Sequence, residues 1–214
     1  MFKKKPFFIV FEGVEGCGKS YQSKKLFNNL KKYKIKTILT REPGGTKSSE
    51  LIRNLILKDY FNKNNKDKFD KYTDTLLYLA ARNEHVINKI KPALLKKQVV
   101  ICDRFTDSTL AYQVYGKNVD IKFINNIHKK ILGKIKPNLV FILKVSAKSS
   151  KLRLKKRKSK NRYDNFSQSF YTKAQKSFLR IAKNKKNYFV LDSSFNDSFL
   201  EKKIFNIVKR YLNI

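Results

Sequence analysis

Eight residues near the start of the chain, Gly13-Val14-Glu15-Gly16-Cys17-Gly18-Lys19-Ser20, carry the spacing G-x-x-x-x-G-K-[ST] without a mismatch. The spacing has a mechanical meaning. Glycines let the backbone curl until successive N–H groups point inward at phosphate oxygens, and a helix starting there adds its positive end. Lys19 is then placed to reach the terminal phosphates, and the Ser20 hydroxyl to complete the shell of a Mg²⁺ ion. A companion lies further on: the apolar run Val99-Val100-Ile101-Cys102 ends in Asp103, a carboxylate able to orient that ion and its waters. Taken alone, an Asp after a strand is more often a helix cap; paired with the loop, it is expected to serve the metal. The chemistry is that of a nucleoside triphosphate. No Asn/Thr-Lys-x-Asp guanine-reading signature comes after a later strand, and 214 residues are few for a motor. A small nucleotide-metabolising kinase is the expected class.

The elements that must hold these residues alternate along the chain. Phe7-Phe8-Ile9-Val10-Phe11 is a continuous apolar run, as a strand covered on both faces of a parallel sheet requires. A helical stretch runs from Lys19 to about Leu30. Further strands are expected at Lys36–Thr40, Val99–Cys102, Leu139–Leu143 and Tyr188–Leu191. Between them Leu76, Leu79, Ala80, Val86, Ile87, Ile90 and Leu94 recur at helical spacing, as do Ile204, Ile207, Val208, Tyr211 and Leu212 near the end. The pattern predicts an α/β fold of the P-loop NTPase kind: a five-stranded parallel sheet with helices on both faces, in a single domain over residues 1–214. Two stretches break the rhythm. Asn62 to Lys71 is polar and reads as an exposed loop; Lys151 to Arg162 is intensely basic.

Composition bounds the remaining classes. Hydrophobic residues at 41% exclude a wholly disordered chain. Fifty Lys and Arg against 16 Asp and Glu give +34, which invites a nucleic-acid reading. That reading leaves the motifs on the acceptor side unexplained, and filling of exposed positions with Lys accounts for the charge more simply. No apolar stretch approaches the roughly 18 to 20 residues of a membrane-spanning helix, and Phe7 to Glu12 is too short for a signal-peptide core. Cys17 and Cys102 are far apart and have no metal-ligand spacing, so a reduced cytoplasmic protein is expected.

Three further motifs narrow the acceptor: Thr40-Arg41-Glu42-Pro43-Gly44-Gly45-Thr46, Tyr78-Leu79-Ala80-Ala81-Arg82, and the run from Asp103-Arg104 to Ser108-Thr109-Leu110-Ala111-Tyr112-Gln113. With the phosphate loop they resemble the thymidylate kinases, in that family's order and approximate spacing, from about Ile9 to Leu191. The resemblance implies transfer of a phosphoryl group from Mg²⁺-ATP to dTMP, giving dTDP. Carried over position by position, it implies that Tyr78 stacks on thymine and that Arg82 donates to its O4. Arg53 and Arg104 would clamp the acceptor phosphate, a task for which a guanidinium fork suits better than Lys. Ser108, Thr109, Tyr112 and Gln113 would border base and sugar, with Pro43 walling the pocket. Glu15 would meet the acceptor's 3′-hydroxyl or the metal, while Glu12 only organises the loop.

The basic stretch resembles the closing lid of the bacterial-type enzymes, over about residues 151–165, with Arg153, Arg157 and Arg162 as the arginines that cover the donor phosphates. Such a lid supplies charge that the phosphate loop lacks, since Glu15, Gly16 and Cys17 stand where an Arg would sit. Departures are Lys155, Asn161 and Asp164 in the lid, Lys144 where an Asp is usual, and Ser20 for a commoner Thr. Relatives form homodimers through helices on one side of the sheet, and the stretch from Leu76 to Leu94 is the expected participant. A kinase with another nucleotide or deoxynucleoside acceptor is the main alternative.

Overall fold

In the computed structural model, which describes residues 5–57, 69–156, 167–195 and 198–214, five strands pair into one parallel sheet of order β2-β3-β1-β4-β5. They are β1 (Phe7–Glu12), β2 (Thr37–Arg41), β3 (Val99–Asp103), β4 (Leu139–Lys144) and β5 (Tyr188–Asp192). Every residue of β1 is buried, and so are the first four of β3 and five of β4. Side chains alternate across a sheet, so unbroken burial means that helices cover both faces. The edge strands β2 and β5 are only partly buried. The five strands match those expected from the apolar runs, but each reaches one residue further, to Glu12, Arg41, Asp103, Lys144 and Asp192, and β2 begins at Thr37, leaving Lys36 outside it. Pairing continues past the end of the apolar pattern, as in Arg41↔Asp103 and Lys144↔Asp192.

The helices are α1 (Lys19–Lys32), α2 (Lys47–Leu57), α3 (Lys71–His85), α4 (Lys91–Leu95), α5 (Thr106–Thr109), α6 (Tyr115–Lys117), α7 (Ile121–Leu132), α8 (Ala147–Lys155), α9 (Gln168–Ala182) and α10 (Ser198–Leu212). Several start on a side-chain cap: Asp70 accepts from Tyr72 N, Asp120 from Lys122 N, Ser146 from Ser149 N and Ser167 from Phe170 N. The helical pattern of Leu76 to Leu94 becomes α3 and α4 joined through a π-helical turn at Val86–Ile90, and a second such turn at Leu110–Val114 joins α5 to α6. Of the polar stretch from Asn62 to Lys71, Asp70 caps α3 and Lys71 opens it, while residues up to 68 lie outside the described part. The basic stretch supplies α8 as far as Lys155; Arg157, Asn161, Arg162 and Asp164 lie outside the described residues.

Topology places the site. β1 lies between β3 and β4, so the connections leaving β1 and β3 run to opposite ends of the sheet and open a crevice at the carboxyl ends. Glu12, Asp103 and the phosphate loop all lie at that edge. No helix among the described residues is long and apolar enough to cross a membrane.

Candidate active site

The loop from Gly13 to Ser20 leaves β1 under tight constraint. A Cβ on Gly13 would sit 2.4 Å from the Leu143 carbonyl oxygen, and one on Gly16 would sit 2.9 Å from that of Ser150. Both glycines have positive φ, 138° and 71°, so any side chain here meets a clash and a strained backbone together. Lys19 is buried, and its ammonium donates to the carbonyls of Gly13 (3.0 Å) and Val14 (2.8 Å) and to Cys17 Sγ (3.5 Å). The cation thus sits inside the curl that would receive phosphates. Val14 and Cys17 are buried beneath the loop, and burial pushes the Cys17 thiol up. Ser20 Oγ donates to Asp103 Oδ2. A hydroxyl and a carboxylate meeting beside the loop are the hard oxygen donors that Mg²⁺ takes. Among the described residues no group of three or more His, Cys, Asp or Glu is arranged to hold a metal.

Arg104 comes directly after β3 with φ 72° and donates its backbone N–H to the Phe11 carbonyl. Its guanidinium reaches Glu15 Oε1 at 2.5 Å and both the Gly13 carbonyl and Ser108 Oγ at 3.0 Å. Glu15 also accepts from the Tyr112 hydroxyl at 2.6 Å. Burial alone would raise the Glu15 carboxyl, but Arg104 and Lys19 outweigh it and hold the group below its ordinary range. Glu12 lies under this cluster, fully buried. Its Oε1 accepts from the N–H groups of Phe105 (2.8 Å) and Ser108 (3.2 Å), and its Oε2 from Ser108 Oγ (2.6 Å). Burial and the neighbouring Asp107 push its pKa up to about 8.

One cavity of about 570 Å³ joins the two halves of the expected site. Glu15, Gly16, Gly18, Lys19, Ser20, Asp103 and Arg153 line one part, and Pro43, Arg53, Tyr78, Arg82, Arg104, Ser108, Thr109, Tyr112 and Gln113 the other. Arg53 Nη1 donates to the Pro43 carbonyl at 2.6 Å, and burial lowers the pKa of its guanidinium. Gln113 is buried, and its Nε2 has no hydrogen-bond acceptor among the described residues. Arg153 turns its guanidinium to the carbonyls of Gly16 (3.1 Å), Ser193 (2.6 Å) and Ser194 (3.1 Å), which ties α8 to the phosphate loop and to the turn after β5. Lys144 pairs with Asp192 at 3.2 Å on the surface, outside the cavity.

Sequence reasoning passed over the supports beneath these residues. Glu42 accepts from Arg82 Nε at 2.7 Å and from His85 Nδ1 at 3.1 Å, and His85 Nε2 meets Thr40 Oγ1 at 2.7 Å. Burial opposes ionisation of Glu42, yet Arg82 and His85 hold its pKa below the ordinary range. Glu42 stands inside the Thr40–Thr46 motif, so a signal for it existed. His128, which meets Arg82 from α7, had none: it is a single His on an amphipathic helix.

A phosphate loop at the carboxyl edge of a 2-3-1-4-5 parallel sheet, opening into a cavity with paired arginines, defines a P-loop phosphotransferase with a nucleotide-sized acceptor pocket. A family profile described as thymidylate kinase matches residues 11–204. A thymidylate kinase of Wolbachia sp. subsp. Brugia malayi is 43% identical over 180 residues, 83% of this chain and 82% of that protein. One of Aster yellows witches'-broom phytoplasma is 40% identical over 209 residues, 96% of each chain. The crystal structure of thymidylate kinase from Ehrlichia chaffeensis superposes with a TM-score of 0.74 at 31% identity, covering 95% of this chain and 99% of that one. The chain belongs to the thymidylate kinase family.

Proposed function

We propose that the cavity takes Mg²⁺-ATP on the Gly13–Ser20 loop and dTMP against α3 and the Arg104–Gln113 segment. As a member of its family the chain transfers a phosphoryl group from ATP to dTMP, giving dTDP. The observation that carries the placement is the one cavity that the loop, Arg53, Arg104 and Tyr78 line together. Lys19 exchanges its carbonyl partners for the β- and γ-phosphate oxygens when nucleotide binds. Ser20 and Asp103 hold the Mg²⁺, which when bound spreads charge from the transferring group. Arg53 and Arg104 grip the dTMP phosphate and orient an oxygen in line with the γ-phosphorus, where positioning supplies most of the rate. No base is required, because the attacking oxygen already belongs to an anion. Tyr78 stacks on the base, an interaction of roughly 1–3 kcal/mol, and Arg82 donates to the 4-keto oxygen, which rejects the 4-amino group of cytosine. Tyr112 and Glu15 border the sugar; Ser108, Thr109 and Gln113 complete that wall. Arg153, Arg157 and Arg162 bring cationic charge to the donor phosphates from the segment around 151–165.

The chain is read as one domain acting in the cytoplasm, where its substrates are met, without a nucleic-acid partner. Its homodimer contact falls on α2, α3 and the π-helical turn that follows α3, where Leu51, Leu55, Leu76 and Ile87 are exposed. A coupled ADP-release assay with dTMP, dUMP, dCMP, AMP and thymidine, on wild type and Lys19→Ala, tests the function. Turnover preferring dTMP and reduced at least about 10²-fold in the variant is expected, since a lost transition-state contact costs that much. Equal turnover with other acceptors would overturn the dTMP assignment.

A further inference from the structure

Arg82 is held by more partners than a surface reader of a base would need. Nε donates to Glu42 Oε2 at 2.7 Å, Nη2 to the Phe105 carbonyl at 2.9 Å, and Nη1 to both Thr109 Oγ1 and His128 Nε2, each at 2.7 Å. The Phe105 ring lies 5.4 Å from the guanidinium carbon and supports the plane of the group. A guanidinium has five N–H groups, and these bonds take four. The fifth, on Nη2, is left for a ligand, and Arg82 lines the cavity.

His128 differs from the other partners. Glu42, Phe105 and Thr109 line the cavity themselves, whereas no residue of α7 does. A guanidinium only donates, so Nε2 of His128 is the bare, accepting nitrogen and the ring proton sits on Nδ1. A charged imidazolium could not take this place, since two cations would then stand 2.7 Å apart. Burial and Arg82 keep the ring neutral, with a pKa lowered to about 3.

We infer that His128 is a specificity-determining positioning residue: from outside the cavity it fixes the rotation of Arg82, so that the one uncommitted N–H meets a keto oxygen at the pyrimidine 4-position. Glu42 anchors the guanidinium at Nε and the Phe105 carbonyl holds one Nη2 hydrogen, which leaves Nη1 to be fixed. Thr109 and His128 take both Nη1 hydrogens and so complete the fixing of the guanidinium plane. The inference rests on the reading of Arg82 as the group that reads the base, which is why its test treats the two residues separately.

The experiment is steady-state kinetics with dTMP and dCMP for His128→Ala, His128→Asn and Arg82→Lys, with thermal midpoints measured alongside. His128→Ala should raise the KM for dTMP about tenfold, change kcat much less, and narrow the dTMP-over-dCMP ratio of kcat/KM about tenfold, as loss of one charge-assisted bond predicts. His128→Asn, whose amide oxygen accepts in place of Nε2, should restore most of both. A His128→Ala protein that keeps the wild-type KM and ratio overturns the inference. So does one whose midpoint and kcat fall while KM and ratio stay fixed, because that is a purely structural role. If Arg82→Lys leaves discrimination intact, the reading of Arg82 itself fails. If Arg82→Lys abolishes discrimination and His128→Ala does not, the inference alone fails.

Discussion

Replacing Glu12 by Gln should change how stability depends on pH while leaving the shape of the site alone. The wild-type carboxyl is fully buried, and its pKa rises from an ordinary 4.5 to about 8. The folded state therefore binds this proton more tightly than the unfolded chain does. Its contribution is fully present below the unfolded value and is lost as pH rises through the folded one. A displacement of that size is worth up to about 5 kcal/mol between the two protonation states. The groups facing Glu12 are Asp107, which adds to the rise, and Arg104 and Ser108, which oppose it. Gln copies the protonated acid. Its oxygen can accept from Phe105 N and Ser108 N, and its amide can donate to Ser108 Oγ. Urea unfolding of both proteins between pH 5 and 9 reads the effect, because titrating groups that do not interact with Glu12 cancel in the difference. Near pH 5 the two should be about equally stable, and by pH 9 Glu12→Gln should be the more stable by roughly 3–5 kcal/mol. A difference that stays within about 1 kcal/mol across the range, or one that favours wild type as pH rises, refutes the reasoning.

Glu42→Leu leaves Arg82 and His85 without their shared carboxylate; loss of one partner of a buried pair costs about 3–5 kcal/mol, or roughly 6–20 °C in thermal midpoint for a chain of this size, measurable by calorimetry. Arg53→Ala should raise the KM for dTMP roughly 10- to 100-fold, the worth of a hydrogen bond to a charged group, and an unchanged KM would remove Arg53 from the phosphate clamp. Leu76→Arg puts a charge on the exposed apolar face of α3 and should yield a monomer at micromolar concentration by analytical ultracentrifugation; a dimer that persists moves the contact elsewhere.

The sheet and the phosphate loop were legible in the sequence because their signals are local. A buried parallel strand needs an unbroken apolar run, and a phosphate cradle needs glycine where a Cβ would strike a carbonyl, as at Gly13 and Gly16. The strand ends were less legible. Arg41 and Lys144 continue their ladders although neither has an apolar side chain, since backbone hydrogen bonding does not consult polarity. The two π turns left no trace in the periodicity, which shifts by one residue in a pattern too short to register it. Least visible were the groups that hold other groups. Glu12 reads as an ordinary strand-end acid until the N–H groups of Phe105 and Ser108 are seen on it, 93 and 96 residues away. Glu42 and His128 meet the Arg82 guanidinium from the end of β2 and from α7, while His85 holds Glu42 from behind, and only the fold brings Glu42 and His128 to that group.

The π turn at Leu110–Val114 bears on how this chain can be edited. Such a turn is an α-helix that has accommodated one additional residue. Here it lets Ala111, Tyr112 and Gln113, consecutive in sequence, all be buried, with Tyr112 and Gln113 both lining the cavity. Each residue of an α-helix advances about 100° around its axis. Deleting any one residue between Leu110 and Val114 would close the turn into regular helix and rotate α6 against Arg104 and Ser108 by a little over a quarter of a circle, about 100°. Substitutions in this segment alter which side chain is presented to the cavity. A change in its length alters the direction in which every later side chain is presented, so the number of residues here constrains the cavity wall separately from their identity.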